Sequence, residues 1–463
     1  MERLVGSEMC IRDSIKNEHP DTVLFFRMGD FYELFHEDAV IGSQTLGLSL
    51  TSRDKNAENP IKMAGFPWHA IEDHLKTMLA AGYKVTVCEQ EENLRPGAKL
   101  LERVVTRVYT PGSLYEESLI GTDQSALLCS IVKKNNIVGM AFFDASTSRA
   151  DACEVSVNDN WEKVTDLLMS MNPSELIFSE KLSQDAKFRH CISHLEKTIF
   201  SQHNSQQKVV EKSLKELLRV SDLGHIDLNE SEVATHAIAL AAHYLSKMHQ
   251  MTEIPLNKIS IINNHQNMTI DRTTLANLQL IHAHSGEKEG SLFGSIDKCR
   301  TAMGRRKLKQ WILNPLMDID EIVLRQNSIK SLTKSSRRLA GIRDMFLGLR
   351  DMERLSTQLA YGRAGGRELY AIGEALSRMP GLKVLACETK DEKLTELCED
   401  IDSLDYLRVE ILSTLQPSQP LSVKEGGLIA IGVNSELDKL REQSNHGEAV
   451  SYTHLRAHET FHD

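Results

Sequence analysis

The chain has 463 residues, of which 41% are hydrophobic and 26% charged, and its formal net charge is −11 at pH 7. Its length predicts about three domains at roughly 100–200 residues each, and the hydrophobic fraction is sufficient for ordinary cores. The acidic balance excludes a protein that binds nucleic acid over its whole surface, so a DNA contact requires local basic strips.

The two ends of the chain differ in character from the rest. Residues 7–14 and 450–460 resemble translated sequencing-adapter read-through, and we therefore expect residues 1–14 and 450–463 to lie outside the fold. The segment His458–His462 has the two-histidine spacing of a zinc-protease helix. We predict no zinc site there, because no following segment supplies a third ligand and a closed cavity.

The first functional feature is an aromatic residue that follows a buried strand. The apolar run Val23–Phe26 predicts the strand, and the tetrapeptide Asp30–Glu33 (Asp-Phe-Tyr-Glu) follows it after a Met-Gly step. The ring of Phe31 can stack on any base, and it enters a duplex most easily where a mispaired base resists unstacking least. Such a side chain distinguishes sites in a duplex by how easily their bases unstack and does not distinguish base sequence.

Glu33 is unusual at a nucleic-acid site, because phosphates repel a carboxylate. Nearby negative charge raises the pKa of a carboxyl group, and the protonated acid can then donate a hydrogen bond to a ring nitrogen of a base. The structural alternative is that Phe31 and Phe35 form an i, i+4 core pair at the start of a helix while Glu33 faces solvent.

Residues 15–115 alternate short strands with amphipathic helices, which predicts a small α/β domain. The predicted elements are strands Val85–Cys88 and Val104–Thr110 and helix Ile71–Ala81. Arg53 follows a Thr-Ser pair, and a basic strip with spacings near four consists of Arg95, Lys99, Arg103 and Arg107. Charge runs of this kind are more often solvated faces than binding sites.

A second α/β unit is predicted over residues 121–245. Strands Leu127–Lys133 and Ile137–Asp144 form a hairpin. The remaining predicted elements are helix Trp161–Met171 and strand Glu175–Phe178. Asp144 ends a strand, where a metal-dependent nuclease of ribonuclease-H-like fold carries a carboxylate, so a two-metal hydrolase is the enzymatic alternative. The partner acids that this site needs on neighbouring strands are not evident in the sequence.

The sequence becomes mainly helical over residues 246–422. The stretch Leu292–Leu316 contains a predicted amphipathic core helix, which Pro315 stops and which directs Leu308, Trp311 and Ile312 inward. A P-loop requires a Lys directly after its last Gly, and no Gly-Lys dipeptide occurs in the chain. We therefore predict that the chain does not hydrolyse ATP.

Cysteine usage and hydropathy predict the compartment. The eight cysteines fall in no Cys-x-x-Cys pair and show no metal-ligand spacing, which is typical of buried thiols in a reducing cytoplasm. No apolar run approaches the length of about 18 residues that a membrane span requires. The sequence predicts a soluble cytoplasmic protein without a metal site or a resident cofactor.

The stretch Phe25–Phe35 closely resembles the DNA-reading loop of the MutS family of mismatch repair proteins. Other stretches that resemble the family are Pro60–His69, Val87–Gln90, Leu292–Leu316 and Val423–Asp438. The resemblance implies that Phe31 wedges into the duplex beside a mispair and that Glu33 bonds the displaced base. It also implies that Arg53 and Arg103 hold the DNA backbone. Paralogues that act in recombination lack this domain and its Phe-x-Glu, which argues against that branch.

The resemblance further implies a domain order. A mismatch-binding domain (15–115) precedes a noncatalytic, ribonuclease-H-like connector (121–245), a helical core and lever (246–422) and the start of a clamp (423–449). In full-length members an ATPase domain that uses ATP and Mg²⁺ follows the clamp and forms the homodimer, so we expect this chain to hold the reading half. The expected partners are duplex DNA with mispairs or small loops and a downstream factor of the MutL family in the bacterial cytoplasm. The sequence leaves open which lesion is preferred.

Overall fold

The computed structural model describes residues 2–52, 60–90, 103–121, 125–157, 161–195, 197–203, 231–262, 267–268, 270–420 and 423–444. They belong to two compact units, Met1–Ile319 with Ser356–Tyr361, and Asp320–Leu355 with Gly362–Asp463. In the described residues the first unit contains two β-sheets, and the second is mainly helical.

A six-stranded sheet forms the N-terminal part of the first unit. Its strands are β1 (Val23–Met28), β2 (Phe31–Phe35), β3 (Thr51–Ser52), β4 (Lys62–Pro67), β5 (Val85–Gln90) and β6 (Arg103–Tyr109). Its helices are α1 (Glu2–Glu18), α2 (His36–Leu46), α3 (Ile71–Ala80) and α4 (Glu117–Ile120). The strand order is β3-β4-β2-β1-β5-β6, with β1 parallel to β5 and antiparallel to β2. The predicted strands and the predicted helix of this region are therefore confirmed.

Both faces of this first sheet are packed, which explains why β1 begins with the continuous apolar run Val23–Phe26. Phe25 lies on one face, in a core with Tyr32 and Leu34. Phe26 lies on the other face, in a smaller core with Phe35. Alternate residues of β1 and β2 thus point to opposite sides of the sheet, as the pleat of a strand requires.

Helix α1 contributes to the smaller core through Ile15, which is buried. Arg12 is buried as well, and its guanidinium donates to the backbone oxygen of Phe35 at 3.3 Å and pairs with Asp38 at 3.4 Å. The structure thus differs from our expectation that residues 1–14 lie outside the fold, because Arg12 has a buried carboxylate partner. The origin of that segment stays a prediction.

A second six-stranded sheet follows in the same unit. Its strands are β7 (Leu127–Lys134), β8 (Ile137–Asp144), β9 (Arg149–Ser156), β10 (Glu175–Phe178), β11 (Ile199–Gln202) and β12 (Lys258–Ile261). Its helices are α5 (Glu162–Met171), α6 (Glu180–Ser183), α7 (Ala186–Ile192) and α8 (Glu232–His249). The strand order is β11-β10-β7-β8-β9-β12, and the predicted β7–β8 hairpin is confirmed.

Helix α8 lies directly on the second sheet. A Cβ added to Gly139 would overlap the carbonyl group of Val233, so the missing side chain permits this close approach. Strand β12 pairs in parallel with β9 and buries Ile259, which carries the sheet beyond the predicted domain boundary at residue 245.

In the described residues, the first unit also contains the helices α9 (Arg272–Asn277), α10 (Leu292–Ile296) and α11 (Ala302–Leu313). The predicted helix before Pro315 is present as α11, but the prediction that Trp311 points inward is wrong. Its side chain is exposed, and no residue of α11 is buried.

The second unit contains α12 (Ile319–Thr333), α13 (Ser336–Met345), α14 (Met352–Ala360), α15 (Gly366–Cys387), α16 (Glu392–Glu399) and α17 (Asp405–Thr414), of which α12 and α14 extend across its boundary with the first unit. Its core is formed by Leu355, Ile372, Leu376, Ile411 and Leu415. Among the helices of the described ranges, none has the length and apolarity that crossing a lipid bilayer requires.

Candidate nucleic-acid interface

The β1–β2 hairpin presents Phe31 at the end of the first sheet. Met28 pairs with Phe31 across the hairpin, so Gly29 and Asp30 alone form the turn. Gly29 has a φ of +61°, a left-handed conformation that glycine adopts without steric cost and that two-residue hairpin turns require. Arg27 Nε donates a hydrogen bond to the backbone oxygen of the turn residue Gly29.

Phe31 and Tyr32 differ sharply in environment although they are adjacent. Phe31 is 48% exposed, whereas Tyr32 is 2% exposed. Phe31 is the first residue of a strand, so the alternative of a helical i, i+4 core pair between Phe31 and Phe35 is wrong. The pleat places Phe31 and Glu33 on one face of β2, about 7 Å apart along the strand.

Tyr32 anchors the opposite face of the hairpin. Its hydroxyl donates to Glu89, and its ring lies 5.5 Å from the ring of Phe66, centroid to centroid. Burial and the Glu89 carboxylate raise the pKa of Tyr32, so the phenol remains a donor. The hairpin therefore has a fixed base beneath its exposed aromatic side chain.

Glu33 lies on β2, between strands β1 and β4. It pairs with Phe26 on β1 and with Gly65 on β4, and it is half-buried. A Cβ added to Gly65 would lie 3.1 Å from the oxygen of Tyr32 and 3.7 Å from Cγ of Glu33. Gly65 therefore places no side chain beside the Glu33 carboxyl group, one oxygen of which is buried.

The structure describes only one of the two arginines that are predicted to contact the DNA backbone. Arg53 lies outside the described residues, directly after β3. Arg103 opens β6, is only 9% exposed, and holds its guanidinium carbon 5.5 Å from the ring centroid of Phe26. Phe26 is also the backbone pairing partner of Glu33 in the sheet. The burial of Arg103 leaves little surface for a phosphate, and its DNA role stays a prediction.

Arg107, from the same basic strip, is a structural residue. Its guanidinium carbon lies 4.3 Å from the ring centroid of Tyr109 and 4.1 Å from that of Tyr115. It also donates to the backbone oxygen of Ser113 at 2.9 Å and pairs with Glu116. Burial accounts for this basic residue without any nucleic acid.

Asp144 accepts hydrogen bonds within the turn that follows β8. Its Oδ1 accepts hydrogen bonds from the backbone N–H of Ser146 at 2.9 Å and from the Ser146 hydroxyl at 2.7 Å. In the described part of the chain, no group of three or more His, Cys, Asp or Glu side chains could hold a metal ion. The nuclease alternative therefore gains no support from this geometry.

Trp68 is an exposed aromatic residue beside the hairpin that the sequence interpretation did not single out. It follows Pro67, which pairs with Phe31, and its side chain is 49% exposed. The signal for this in the sequence is Pro67, because a Pro is confined to the edge or the end of a sheet strand. A Trp directly after that Pro therefore lies beyond the strand and outside its packed core.

Three family models match the chain in succession. MutS domain I matches residues 13–118, MutS domain II matches 126–260 and MutS domain III matches 273–457. The second match includes β12, in agreement with the sheet. The third extends past residue 450, into the segment that we set apart as adapter read-through.

Curated relatives named DNA mismatch repair protein MutS align along most of the chain. The protein of Caldanaerobacter subterraneus subsp. tengcongensis is 28% identical over 94% of this chain and 50% of its own length. The protein of Symbiobacterium thermophilum is 30% identical over the same shares, and that of Lactobacillus acidophilus is 32% identical over 94% and 49%. The chain thus spans about half the length of these relatives.

Proposed function

Because the chain belongs to the MutS family of DNA mismatch repair proteins, we propose that it recognises mispaired or looped bases in duplex DNA. Phe31 is the wedge in this proposal, and Glu33 bonds the base that the wedge displaces. The observation that carries it is the exposed ring of Phe31 on a hairpin whose next residue, Tyr32, is buried. An anchored hairpin holds its aromatic side chain ready for insertion and limits the ordering cost on binding.

The wedge converts local weakness of the duplex into affinity. Base–aromatic stacking contributes roughly 1–3 kcal/mol per base. Unstacking a paired base costs a few kcal/mol, and a mispaired base costs less. The same ring therefore binds a mispair with a net gain where it would bind a matched step with little or none.

Glu33 adds a second means of discrimination. DNA phosphates favour the protonated form of the nearby carboxyl group, which then donates a hydrogen bond to a ring nitrogen of the base. Gly65, the neighbour of Glu33 on β4, has no side chain that would stand between that base and the carboxyl group. A correctly paired base stays in the stack and accepts no hydrogen bond from Glu33. With matched DNA, Glu33 therefore contributes only its repulsion from the phosphates.

Several parts of the proposal concern the longer protein. We propose a noncatalytic connector of ribonuclease-H-like fold in the second sheet, a homodimer, a factor of the MutL family as a downstream partner, and action on DNA in the bacterial cytoplasm. This chain has no Gly-Lys dipeptide and therefore no P-loop, so it is not itself an ATPase. ATP and Mg²⁺ would belong to the further domain of the longer protein.

A base analogue placed in the DNA tests insertion directly. The fluorescence of 2-aminopurine beside a mispair rises when the base unstacks, and we expect wild-type protein to produce this rise. Phe31→Ala should bind without producing it, and a matched duplex should show little change with either protein. An equal rise with both proteins would contradict the wedge. Cleavage of the mismatched duplex on addition of Mg²⁺ would instead support the nuclease.

A further inference from the structure

Trp68 directly follows β4, the strand that pairs with β2, and so lies next to the wedge residue Phe31. Its backbone N–H donates to the oxygen of Asp30 at 2.9 Å, and Asp30 is the residue directly before Phe31. Among the described residues from the start of β1 to Trp68, the exposed large aromatic side chains are those of Phe31 and Trp68. The hydrogen bond fixes both at one end of the sheet.

Arg27 adds a cation to this surface. Its guanidinium carbon lies 5.0 Å from the ring centroid of Trp68 and 5.4 Å from that of Tyr32. Within the described ranges, Arg27 forms no ion pair with a carboxylate. An exposed ring beside a guanidinium that pairs with no carboxylate of the described residues suits a partner that is apolar in part and anionic in part.

The position of Arg27 shows how this surface relates to the wedge. Arg27 pairs with Tyr32 across the hairpin, so it lies on the opposite face from Phe31 and Glu33. Trp68 packs against Arg27 on that side. The pair therefore flanks the wedge and does not extend it.

We propose that Trp68 packs against a deoxyribose of the DNA next to the wedge site and that Arg27 pairs with the adjoining phosphate. This inference rests on the proposed function, since the wedge brings the duplex to this end of the sheet. Every nucleotide presents the same sugar and phosphate, so the contact adds affinity without discrimination. Trp68 and Arg27 would thus position the duplex while Phe31 and Glu33 read it.

Substitution separates these two roles. Trp68→Ala should weaken binding to mispaired and matched duplexes alike, by about fivefold, the lower end of the range for aromatic contacts with nucleic acid. Trp68→Phe should restore most of that affinity. Tyr83→Ala is the matched control, because Tyr83 is an exposed aromatic residue just before β5, at the other end of the same sheet, and this variant should bind like wild type.

Fluorescence provides a readout in the folded wild-type protein. The difference in emission between wild type and Trp68→Phe isolates Trp68, and bound DNA should protect it from acrylamide quenching. Arg27→Gln should flatten the plot of log affinity against log salt by about one unit.

The possible results distinguish the two proposals. Unchanged affinity in Trp68→Ala, with equal quenching in free and bound protein, would overturn the Trp68 contact. If Phe31→Ala still lost its preference for the mispair, the proposed function would stand. A wild-type protein that bound both duplexes equally would contradict the proposed function instead.

Discussion

Phe31 and Glu33 lie on the same face of β2, two residues apart, with the buried Tyr32 between them on the opposite face. A helix could not produce this alternation, because side chains on the same face of a helix are three or four residues apart. The strand therefore places an aromatic ring and a carboxyl group side by side toward one partner while its other face fixes the hairpin in the core.

The first prediction concerns Tyr32 as the anchor of the hairpin. Tyr32→Ala should lower the free energy of unfolding by about 3–5 kcal/mol, as truncation of a buried aromatic residue does. Tyr32→Phe keeps the ring and loses the hydrogen bond to Glu89, at a cost of about 1.5–3 kcal/mol. Chemical denaturation measures both values. Loss of less than about 1 kcal/mol in Tyr32→Ala would show that the hairpin is not anchored there.

The second prediction concerns Arg53 and Arg103 as backbone contacts. Each Arg→Ala change should weaken binding to mispaired and matched DNA alike and should flatten the salt dependence by about one unit. Arg103→Ala should also lower thermal stability, because Arg103 is buried against Phe26. Weaker binding to the mispair alone, with an unchanged salt slope, would show that the altered residue is not a phosphate contact.

The third prediction tests Glu33 for both charge and hydrogen bonding. Glu33→Gln keeps a donor and removes the repulsive charge, so binding to both duplexes should hold or tighten, with the larger gain on matched DNA. Glu33→Ala should relieve the repulsion without restoring the bond to the base. Isothermal titration at fixed salt measures both variants.

The same residue predicts a pH dependence. The bound state favours the protonated carboxyl group, so wild-type affinity for the mispair should be highest at low pH and should fall as pH rises through the bound-state pKa of Glu33. Glu33→Gln should lack that dependence. Parallel pH profiles for the two proteins would remove the protonated donor from the mechanism.

The fourth prediction concerns Glu175, a fully buried carboxylate on β10 that accepts hydrogen bonds from residues following β6 of the first sheet. It accepts hydrogen bonds from Thr110 Oγ1 at 2.5 Å, the backbone N–H of Gly112 at 3.2 Å and the Tyr244 hydroxyl at 2.6 Å. Tyr244→Phe should cost about 1.5–3 kcal/mol of stability, since a hydrogen bond to a buried charge is lost.

A matched variant distinguishes the loss of the Tyr244–Glu175 hydrogen bond from a general loss of packing. Burial and the Glu175 carboxylate raise the pKa of Tyr244, so its hydroxyl remains a donor throughout the neutral range. Tyr361→Phe is the control, because the Tyr361 hydroxyl has no hydrogen bond to the described residues. Urea titration should show a clearly smaller loss for Tyr361→Phe than for Tyr244→Phe, and equal losses would exclude a special role for Glu175.

The sequence predicts well where local pattern and turn chemistry agree. Glu175–Phe178 has the predicted bounds, because a short apolar run follows a Pro-containing turn. The β7–β8 hairpin also matches, and its turn residue Asn135 has the positive φ that Asn tolerates. In both cases the signal lies within a few residues of the element.

Features that depend on distant partners are harder to predict. β12 is four residues long and becomes a strand by pairing with β9, about a hundred residues earlier in the chain. Trp311 has an amphipathic pattern around it, yet periodicity does not show whether another element covers that face. Arg107 looks like part of a basic surface strip until Tyr109 and Tyr115 enclose it. Each outcome is decided by tertiary packing.

The affinity ratio of Phe31→Ala tests the central claim most directly. Wild type and variant are titrated with one mispaired and one matched duplex at fixed salt, beside a melting curve. We predict that the variant loses roughly 1–3 kcal/mol of binding to the mispair, little on the matched duplex, and almost no thermal stability. An unchanged ratio, or a melting loss of the size expected for a buried Phe, would contradict the wedge.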